Sequence, residues 1–390
     1  MNPSDFDAEA ADVAIAHDYL TQRGGAEKVV LALHRAFPSA PVYTTLYEPS
    51  LTYPEFGDVE VIPSALNRFG PFRRSHRLAL PFLAWASNSV RVPARHTIVS
   101  SSGWAHGFRT RGSKIVYCYS PARWLYQTDT YLGSNRLNVQ RVALAVLRPW
   151  LKRWDKRQAK TATKYFAIST VVQQRIRETY GIESEVLPAP HSVDVSLPQE
   201  VVDLGALSQS GEYYLCISRL LPYKNVDVVI RAFNELGLPL VVVGAGPEER
   251  KLAVLAKQNV RMLKDLTDAQ MRWLYARSAA VVSASYEDFG LTPIEAANYG
   301  KPSIVLRWGG FLDTIRENET GVYFDLPDPG LLATAVEFSQ SLDWDEQKIR
   351  THAGTFSEEH FARRLKAEIA TLDEAGHAGQ LDTTPSAAGR

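Results

Sequence analysis

The chain has little cysteine and no long apolar run. Cys118 and Cys216 are its two cysteines, and their spacing fits neither a metal site nor a redox pair, so we expect buried thiols in a reducing compartment. No stretch approaches the roughly 18 apolar residues of a membrane-spanning helix. The acidic segment Met1–Ala11 lacks the apolar core of a secretory signal. These absences predict a cytoplasmic protein that is soluble or lies on the inner face of a membrane.

An excess of one charge is also missing. Lys+Arg and Asp+Glu number 43 each among 390 residues, so the net charge gives no sign of a nucleic-acid partner, and we expect none. Hydrophobic residues make up 45% and charged residues 22% of the chain, as in ordinary folded proteins. The length exceeds that of one ordinary core and favours two or three domains.

Short β-branched runs alternate with helical segments along the chain, which is typical of parallel α/β architecture. The alternation pauses in the polar stretch 188–211 and restarts at a strand predicted over Tyr213–Ser218. We therefore predict two Rossmann-like domains, over residues 1–195 and 196–355. In such sheets ligands bind beyond the carboxyl ends of the strands, so the candidate sites lie in the strand-end loops.

The C-terminal segment 356–390 is predicted to pack back towards the N-terminal domain. Its amphipathic helix is expected over Glu358–Leu372, and Asp373–Arg390 is expected to be a frayed polar tail.

An acidic pair, Glu287 and Asp288, follows a buried strand predicted over Ala280–Ala284. The next helix is expected to begin with Thr292 as its N-cap and Glu295 as the partner in a capping box. That role explains Glu295 about as readily as a ligand contact, but it leaves Glu287 without a structural explanation. Carboxylates there suit sugar hydroxyls, and the helix N-terminus suits a phosphate.

Two cations follow the strand predicted over Tyr213–Ser218. Arg219 follows it directly, and Lys224 lies at the start of the next helix, where it opposes the helix dipole. Surface solvation explains either residue alone, whereas together they suit the charge that develops on a diphosphate leaving group. Gly244, after the second strand of this domain, fits a nucleotide-binding loop or a tight strand-to-helix turn.

Glu287–Glu295 resembles the E-x7-E motif of retaining glycosyltransferases of family four, the group 1 enzymes with a GT-B fold. The similarity extends to Ala297–Pro302 and to Gly309–Gly310. The resemblance implies two Rossmann-like domains that face each other across a cleft, with the acceptor on the N-terminal domain and the nucleotide sugar on the C-terminal one.

The resemblance also implies roles for individual residues. Glu287 would face the donor sugar, Arg219 and Lys224 would hold the diphosphate, and Glu295 would bind the ribose. The remaining donor-binding candidates are backbone positions and glycine loops: Gly24, Gly25, Gly244, Phe289, Gly290, Leu291 and Thr292.

Three aromatic side chains are candidates for the acceptor or sugar side. Tyr119 stands where mannosyltransferase-like relatives often have a histidine, and His17 or His106 could replace that histidine. A lone histidine is, however, more often structural than catalytic.

The function implied by the resemblance is transfer of a hexosyl group, with retention of configuration, in cell-surface polysaccharide or glycolipid synthesis. The donor is a nucleoside-diphosphate sugar, with GDP-mannose favoured, and the acceptor is a glycan or a lipid-linked acceptor. We expect neither a metal nor another cofactor, since Asp343 and Asp345 form a D-x-D string far from any strand end and no zinc-type cluster exists.

Three alternatives stay open. An NAD-dependent dehydrogenase would need a full dinucleotide fingerprint, which the sequence lacks. A nucleotide-sugar epimerase of the same fold would act without an acceptor. A catalytically silent homologue would serve as a binding subunit, and the tyrosine at position 119 is the feature in its favour.

Two basic clusters lie beside apolar side chains, as at the surface of an anionic membrane. A solvated face over core positions is the competing explanation, which the second cluster fits slightly better. The basic residues of the first cluster are Arg68, Arg73, Arg74, His76 and Arg77, and the apolar residues that follow them are Leu78, Leu80, Phe82, Leu83 and Trp85. The basic residues of the second cluster are Arg148, Lys152, Arg153, Lys156 and Arg157, and they are interleaved with Leu147, Trp150, Leu151 and Trp154.

Overall fold

The computed structural model describes residues 11–126, 139–209 and 211–381. The strands are β1 (Val13–His17), β2 (Val42–Thr44), β3 (Val61–Pro63), β4 (Arg91–Val92), β5 (His96–Ser101), β6 (Arg109–Thr110), β7 (Ser113–Cys118), β8 (Lys164–Ala167), β9 (Glu185–Val186), β10 (Tyr213–Ile217), β11 (Leu240–Val243), β12 (Val260–Leu263), β13 (Ser278–Ser283), β14 (Ser303–Leu306) and β15 (Gly321–Phe324). The helices are α1 (Gly25–Ala36), α2 (Gly70–Arg74), α3 (His76–Ser89), α4 (Arg123–Tyr126), α5 (Val139–Ala159), α6 (Thr170–Tyr180), α7 (Val226–Leu236), α8 (Glu249–Leu255), α9 (Asp268–Arg277), α10 (Leu291–Asn298), α11 (Phe311–Thr314), α12 (Pro329–Gln340), α13 (Glu346–Gly354) and α14 (Glu358–Leu381).

The chain divides into two compact units. Unit 1 comprises the described parts of Met1–Ile168, Val172–Pro190 and Glu358–Arg390, and unit 2 comprises Ser169–Val171 and His191–Ser357. The main boundaries lie at 190/191 and 357/358, where the sequence predicts them at 195/196 and 355/356.

Unit 1 contains a seven-stranded parallel sheet in the order β3-β2-β1-β5-β7-β8-β9. The chain order reverses between β1 and β5, which pair in register from Val13 with His96 to His17 with Ser100. Such a reversal opens a crevice at the carboxyl ends of the two strands. His17 and Ser100 therefore lie at the edge of unit 1 where a ligand is expected.

Unit 2 contains a six-stranded parallel sheet in the order β12-β11-β10-β13-β14-β15. Numbered within the unit this order is 3-2-1-4-5-6, the Rossmann arrangement, and it reverses between β10 and β13. Alternate residues of β10 pack on opposite faces: Tyr214 and Cys216 belong to one apolar cluster, and Tyr213 and Leu215 to another. Both faces of the sheet are thus buried, as parallel sheets require. The predicted α/β class with Rossmann-like domains is confirmed.

The C-terminal helix is longer than expected. It continues to Leu381, so the prediction of a frayed tail from Asp373 is wrong for residues 373–381, and residues 382–390 lie outside those described. The Asp373 carboxylate lies 2.6 Å from Arg95 Nη2 and 2.9 Å from His96 Nε2. This anchorage at the amino end of β5 holds the added turns.

A buried carboxylate organises the loop that follows β5. Asp18 accepts hydrogen bonds from the backbone amides of Ser102 (2.6 Å), Trp104 (3.1 Å) and Ala105 (2.6 Å). The Ser101 hydroxyl donates a fourth, at 3.3 Å. A charged acceptor shared by several amides is one of the stronger polar contacts in a fold, and it fixes the loop at the ligand edge of the sheet.

We predict that Asp18→Asn destabilises unit 1. Asparagine keeps one acceptor oxygen, but its amide nitrogen cannot accept, so the donors that faced the other oxygen lose their partner and the charge is lost, at a cost of about 2–4 kcal/mol. Urea denaturation followed by tryptophan fluorescence measures the loss. Asp58→Asn, at an exposed position, is the matched control and should change the free energy of unfolding by less than about 0.5 kcal/mol. Equal effects of the two variants would contradict the role assigned to Asp18.

Candidate functional site

A cavity of about 370 Å³ opens in unit 2 where the strand order reverses. Its walls come from the ends of β10, β11 and β13 and from α9 and α10. The lining residues are Ile217, Ser218, Arg219, Lys224, Val243, Gly244, Ala245, Met271, Glu287 and Thr292. The cavity therefore brings together five residues that the sequence singles out: Arg219, Lys224, Gly244, Glu287 and Thr292.

A short 3-10 turn over Pro222–Lys224 places Lys224 in the cavity. The turn ends at Asn225, which has a left-handed φ of 50°. The Asn225 side chain donates to the carbonyl of Ala284, at 2.8 Å, at the end of β13. The connection after β10 is thereby tied to the loop that contains Glu287.

Lys224 and Glu287 form an ion pair inside the cavity. Lys224 is buried, and its Nζ donates to Glu287 Oε1 and lies over the ring of Tyr223, 5.0 Å from the ring centroid. The Ser285 hydroxyl donates a second hydrogen bond to the same carboxylate oxygen, at 3.0 Å. The carboxylate offsets the unfavourable position of Lys224 before α7. Because Arg219 is exposed and adds a further positive charge, the three side chains together favour an anionic ligand.

Two glycines let neighbouring loops touch backbone to backbone. The Gly310 amide donates to the Glu287 carbonyl at 2.9 Å. A Cβ at Gly309 would lie 2.3 Å from the Glu287 carbonyl oxygen, and one at Gly310 would lie 2.2 Å from the Cα of Phe289. The Gly309–Gly310 segment therefore fixes the path of the main chain through Glu287.

The capping box predicted for α10 is wrong. The helix begins at Leu291, and its N-cap is Gly290 with a left-handed φ of 86°. The left-handed glycine starts the helix earlier than Thr292, so Thr292 lies inside its first turn and lines the cavity. Glu295 instead accepts a 2.5 Å hydrogen bond from the Tyr275 hydroxyl of α9.

The Tyr275 phenol remains protonated and donates to Glu295. Burial and the nearby Glu295 charge raise the pKa of Tyr275 well above its ordinary value. Glu295 is half-buried and held in one orientation without any capping role. Phe289 is buried and packs edge-on against Phe356, with ring centroids 6.3 Å apart. Its side chain therefore anchors the loop.

In unit 1 the candidates separate into two places. His17 lies at the end of β1, its Nδ1 2.9 Å from Ser100 Oγ, and Tyr119 contacts the same hydroxyl at 2.9 Å. The glycines Gly24 and Gly25 lead into α1 beside them.

His106 lies apart from that group, within the core. Its Nε2 is 3.0 Å from a buried Asp155 carboxylate oxygen, and its ring packs against Trp154. The other carboxylate oxygen of Asp155 accepts from Tyr126 at 2.8 Å. These contacts are those of a core histidine in a buried polar cluster.

Several residues of the site have no sequence signal. Tyr275 stands in helix α9 outside any motif, and Met271 lines the cavity from the same helix. Ser285 could have been found, because it follows β13 in the strand-end loop already identified by its carboxylates.

The D-x-D string has a structural role. Asp345 caps α13 and accepts from the amides of Gln347 and Lys348 at 3.0 Å. Within residues 11–126, 139–209 and 211–381, no three His, Cys, Asp or Glu side chains form a metal-type group.

Comparison with known proteins identifies the second half of the chain. Residues 205–352 match the family model for group 1 glycosyl transferases. This region is therefore a group 1 glycosyltransferase domain. It contains β10–β15 and the whole cavity.

Relatives and solved structures extend the similarity. The D-rhamnosyltransferase WbpZ of Pseudomonas aeruginosa is 28% identical over 220 residues, 53% of this chain and 54% of the relative. The chain thus spans about half the length of that relative. Sucrose-phosphate synthase of Thermosynechococcus elongatus (TM-score 0.66, 18% identity) covers 93% of this chain and all of its own. Anabaena Alr3699/HepE in complex with UDP (TM-score 0.65, 16% identity) covers 92% and 100%. These two likenesses show the GT-B type of fold.

We predict that Gly310→Ala destabilises unit 2 by about 1–3 kcal/mol, since the added methyl group overlaps the Phe289 backbone. Thermal denaturation measures the change. Gly354→Ala is the matched control, because a Cβ there meets none of the described residues within 4 Å outside its own helix. The control should be neutral or slightly stabilising. Equal stability of the Gly310 variant and the wild type would contradict the close contact.

Proposed function

We propose that the protein is a retaining glycosyltransferase that moves a hexosyl group from a nucleoside-diphosphate sugar to a glycan or a lipid-linked acceptor. The reaction would contribute to cell-surface polysaccharide or glycolipid synthesis. The observation that carries this proposal is the convergence of Arg219, Lys224 and Glu287 on one cavity of the group 1 domain.

Each of the three side chains has a proposed role that follows from its chemistry. Breakage of the sugar–phosphate bond develops negative charge on the diphosphate, and fixed cations stabilise that charge. Lys224 is buried and already held in place, so it needs little reorganisation. Arg219 offers a planar fork of donors for phosphate oxygens. Glu287 is partly exposed in the cavity wall, where its carboxylate can accept hydrogen bonds from the sugar or stabilise positive charge on it.

The nucleotide is proposed to lie along the ends of β10, β11 and α10. Thr292 and the Gly290–Leu291 backbone would meet the diphosphate, and Glu295, held by Tyr275, would accept from the ribose hydroxyls. Gly24 and Gly25 stay proposed donor-binding positions, on the resemblance alone. These positions need no metal ion, and we propose a metal-independent reaction.

GDP-mannose is the donor that we propose, on the resemblance to mannosyltransferases. The relatives named above include a D-rhamnosyltransferase, and a solved neighbour binds UDP. A donor screen should therefore include guanosine and uridine diphosphate sugars.

The test combines the screen with three substitutions. Arg219→Ala and Lys224→Ala each remove a charge-assisted phosphate contact and should weaken donor binding by about 1.5–3 kcal/mol. Glu287→Gln should lower kcat by about 100-fold or more. Calorimetry measures donor binding, and release of nucleotide in the presence of acceptor measures transfer.

Arg231→Ala, which removes an exposed arginine from α7, is the matched control and should keep donor affinity. Failure of the wild type to bind any nucleotide sugar at millimolar concentration would overturn the proposal. Donor binding that all three variants retain would favour the silent homologue. An altered donor sugar without any acceptor would favour the epimerase. Loss of transfer in EDTA would contradict the metal-independent reaction.

We also propose that unit 1 contacts an anionic membrane. Residues Phe69, Leu78, Phe82, Trp85 and Trp150 form what we call the apolar surface, and each is 48–61% exposed. Leu78, Phe82 and Trp85 share one side of α3, while Ala79, Leu83 and Ala86 on the other side are buried. A helix that is apolar on its exposed side as well is typical of contact with a partner or a lipid phase.

The neighbouring helix α5 supplies the positive charge for this contact. The Trp154 indole of α5 donates to Asn88 of α3 at 3.1 Å, so the two helices pack side by side. Arg153, Lys156 and Arg157 on α5 and Arg74 on α2 are exposed. Within the described residues, no helix is long and apolar enough to cross a bilayer.

Not every residue of the two basic clusters contributes to the surface. His76 stacks on Tyr19 with centroids 4.3 Å apart, and Leu83, Leu151 and Trp154 are core residues. Arg148 donates to the Leu125 carbonyl. The Arg77 side chain lies outside the described set. Pro81 is accommodated inside α3 and does not break the helix.

We predict that the wild type co-sediments with anionic vesicles of phosphatidylcholine and phosphatidylglycerol at low salt. Combined Arg153→Gln and Arg157→Gln should weaken binding by about 2 kcal/mol, since each basic residue near the surface contributes about 1 kcal/mol. Trp85→Ser with Trp150→Ser should weaken binding at low and high salt alike, because the apolar contribution is not screened.

The matched control is Val254→Ser with Lys348→Gln, which changes an exposed apolar and an exposed basic residue of unit 2. It should bind vesicles like the wild type. Absence of wild-type retention on anionic vesicles at low salt would overturn the membrane proposal and leave the transferase proposal intact.

A further inference from the structure

A buried carboxylate outside the proposed machinery lies at the ligand edge of unit 1. Glu27, in the first turn of α1, is 1% exposed. Its Oε1 lies 3.8 Å from His17 Nε2, an ion-pair distance longer than a hydrogen bond. Its Oε2 makes no hydrogen bond with any residue that the structure describes. A Cβ at Gly24 would lie 2.6 Å from Oε2, so the carboxylate packs directly beneath the glycine loop.

A chain of polar groups leads from this carboxylate to Tyr119. His17 Nδ1 lies 2.9 Å from Ser100 Oγ, and Ser100 Oγ lies 2.9 Å from the hydroxyl of the half-buried Tyr119. The Tyr119 hydroxyl in turn lies 3.3 Å from the carbonyl oxygen of Ala26. The chain therefore crosses the switch point of the sheet, from α1 through β1 and β5 to the end of β7.

The charge and the tautomer of His17 together set the direction of these hydrogen bonds, since Nδ1 also lies 3.2 Å from the Ser100 carbonyl oxygen. A protonated imidazole donates from both nitrogens, so Ser100 receives from Nδ1 and passes its own hydrogen to Tyr119. The Tyr119 hydroxyl then directs its hydrogen towards the Ala26 carbonyl or a ligand. A neutral imidazole that accepts at Nδ1 takes the hydrogen of Ser100 instead, and Ser100 no longer donates to Tyr119.

We propose that Glu27 is a positioning residue: through His17 and Ser100 it sets the direction of the Tyr119 hydroxyl, and it fixes the glycine loop from below. This inference rests on the proposed function, with Gly24 as a proposed donor-binding position and Tyr119 as a candidate for the acceptor or sugar side. A buried charge costs free energy unless a partner compensates it. The proposed pairing with His17 gives the Glu27 carboxylate both that compensation and a role.

The titratable groups around His17 are few. Glu27 faces it from α1, Asp18 adjoins it on the chain, and Tyr119 faces it beyond Ser100. Burial alone would lower the pKa of His17, but the adjacent carboxylate of Glu27, with Asp18 and the Ser100 carbonyl, raises it above its ordinary value. Burial raises the pKa of Tyr119 far above its ordinary value, so the phenol stays neutral.

The first experiment follows His17 by NMR in the intact protein and needs no activity. The wild-type titration midpoint should lie above the ordinary value for histidine. In Glu27→Gln it should fall, because burial is then opposed only by the smaller contributions of Asp18 and the Ser100 carbonyl. A wild-type midpoint at or below the ordinary value would overturn the inference even if the variant fails to fold.

The second experiment measures transfer across pH. Wild-type His17 loses its proton only above its raised pKa. The pH profile of transfer by Glu27→Gln should therefore decline at lower pH than the wild-type profile. The kcat of this variant near pH 7.5 should fall at least about tenfold. Glu27→Gln should add little to the loss in Tyr119→Phe, because both changes act on one chain. Glu346→Gln, an exposed first-turn carboxylate of α13, is the matched control and should leave the pH profile unchanged.

The outcomes separate this inference from the proposed function. A wild type that binds no nucleotide sugar would overturn the transferase proposal, while the His17 titration would still test the ion pair. A wild type that transfers sugar, with an unchanged pH profile in Glu27→Gln or with additive effects of Glu27→Gln and Tyr119→Phe, would overturn the positioning role of Glu27.

Discussion

The loops after β13 and β14 touch through their main chains, and the arrangement of the cavity depends on that contact. The Gly310 amide holds the Glu287 carbonyl, and no side chain fits at positions 309 and 310. From the other side, Asn225 holds the Ala284 carbonyl and brings the turn of Lys224 alongside. With its backbone fixed on both flanks, Glu287 meets Lys224 without having to order a free loop, so little conformational entropy opposes the pairing.

The sequence predicts much of this arrangement because parallel sheets follow strong long-range rules. Alternating strand and helix patterns place strand ends on one edge, and Arg219 and Glu287 stand at two strand ends that the reversal of strand order makes neighbours. The capping box at Thr292 fails for a local reason: Gly290 adopts a left-handed conformation and starts the helix earlier. The contact between Glu295 and Tyr275 joins two helices, and neither helix pattern indicates it.

The histidines show the limit of prediction from sequence more clearly. His17 ends β1 and His106 lies in the loop after β5, so both stand at the carboxyl end of a buried strand and their sequence patterns are alike. Their surroundings differ because of distant residues: Glu27 and Ser100 for His17, and Asp155 of α5 for His106. Glu27 itself reads as an ordinary first-turn acid that complements a helix dipole. Only the assembled sheet reveals that its carboxylate is enclosed beneath the glycine loop.

Unit 1 is assembled from chain that comes before and after unit 2, and this has a consequence for biosynthesis. Helix α14 joins it through Glu358, which binds Arg35 with two hydrogen bonds of 2.7 and 2.5 Å, and through Asp373 at β5. A ribosome therefore releases every residue of unit 2 before it supplies the helix that completes unit 1. The unit encoded second can finish folding first, and the unit encoded first must keep its α14-binding face open in the meantime. During that interval the open face of unit 1 is accessible to a chaperone.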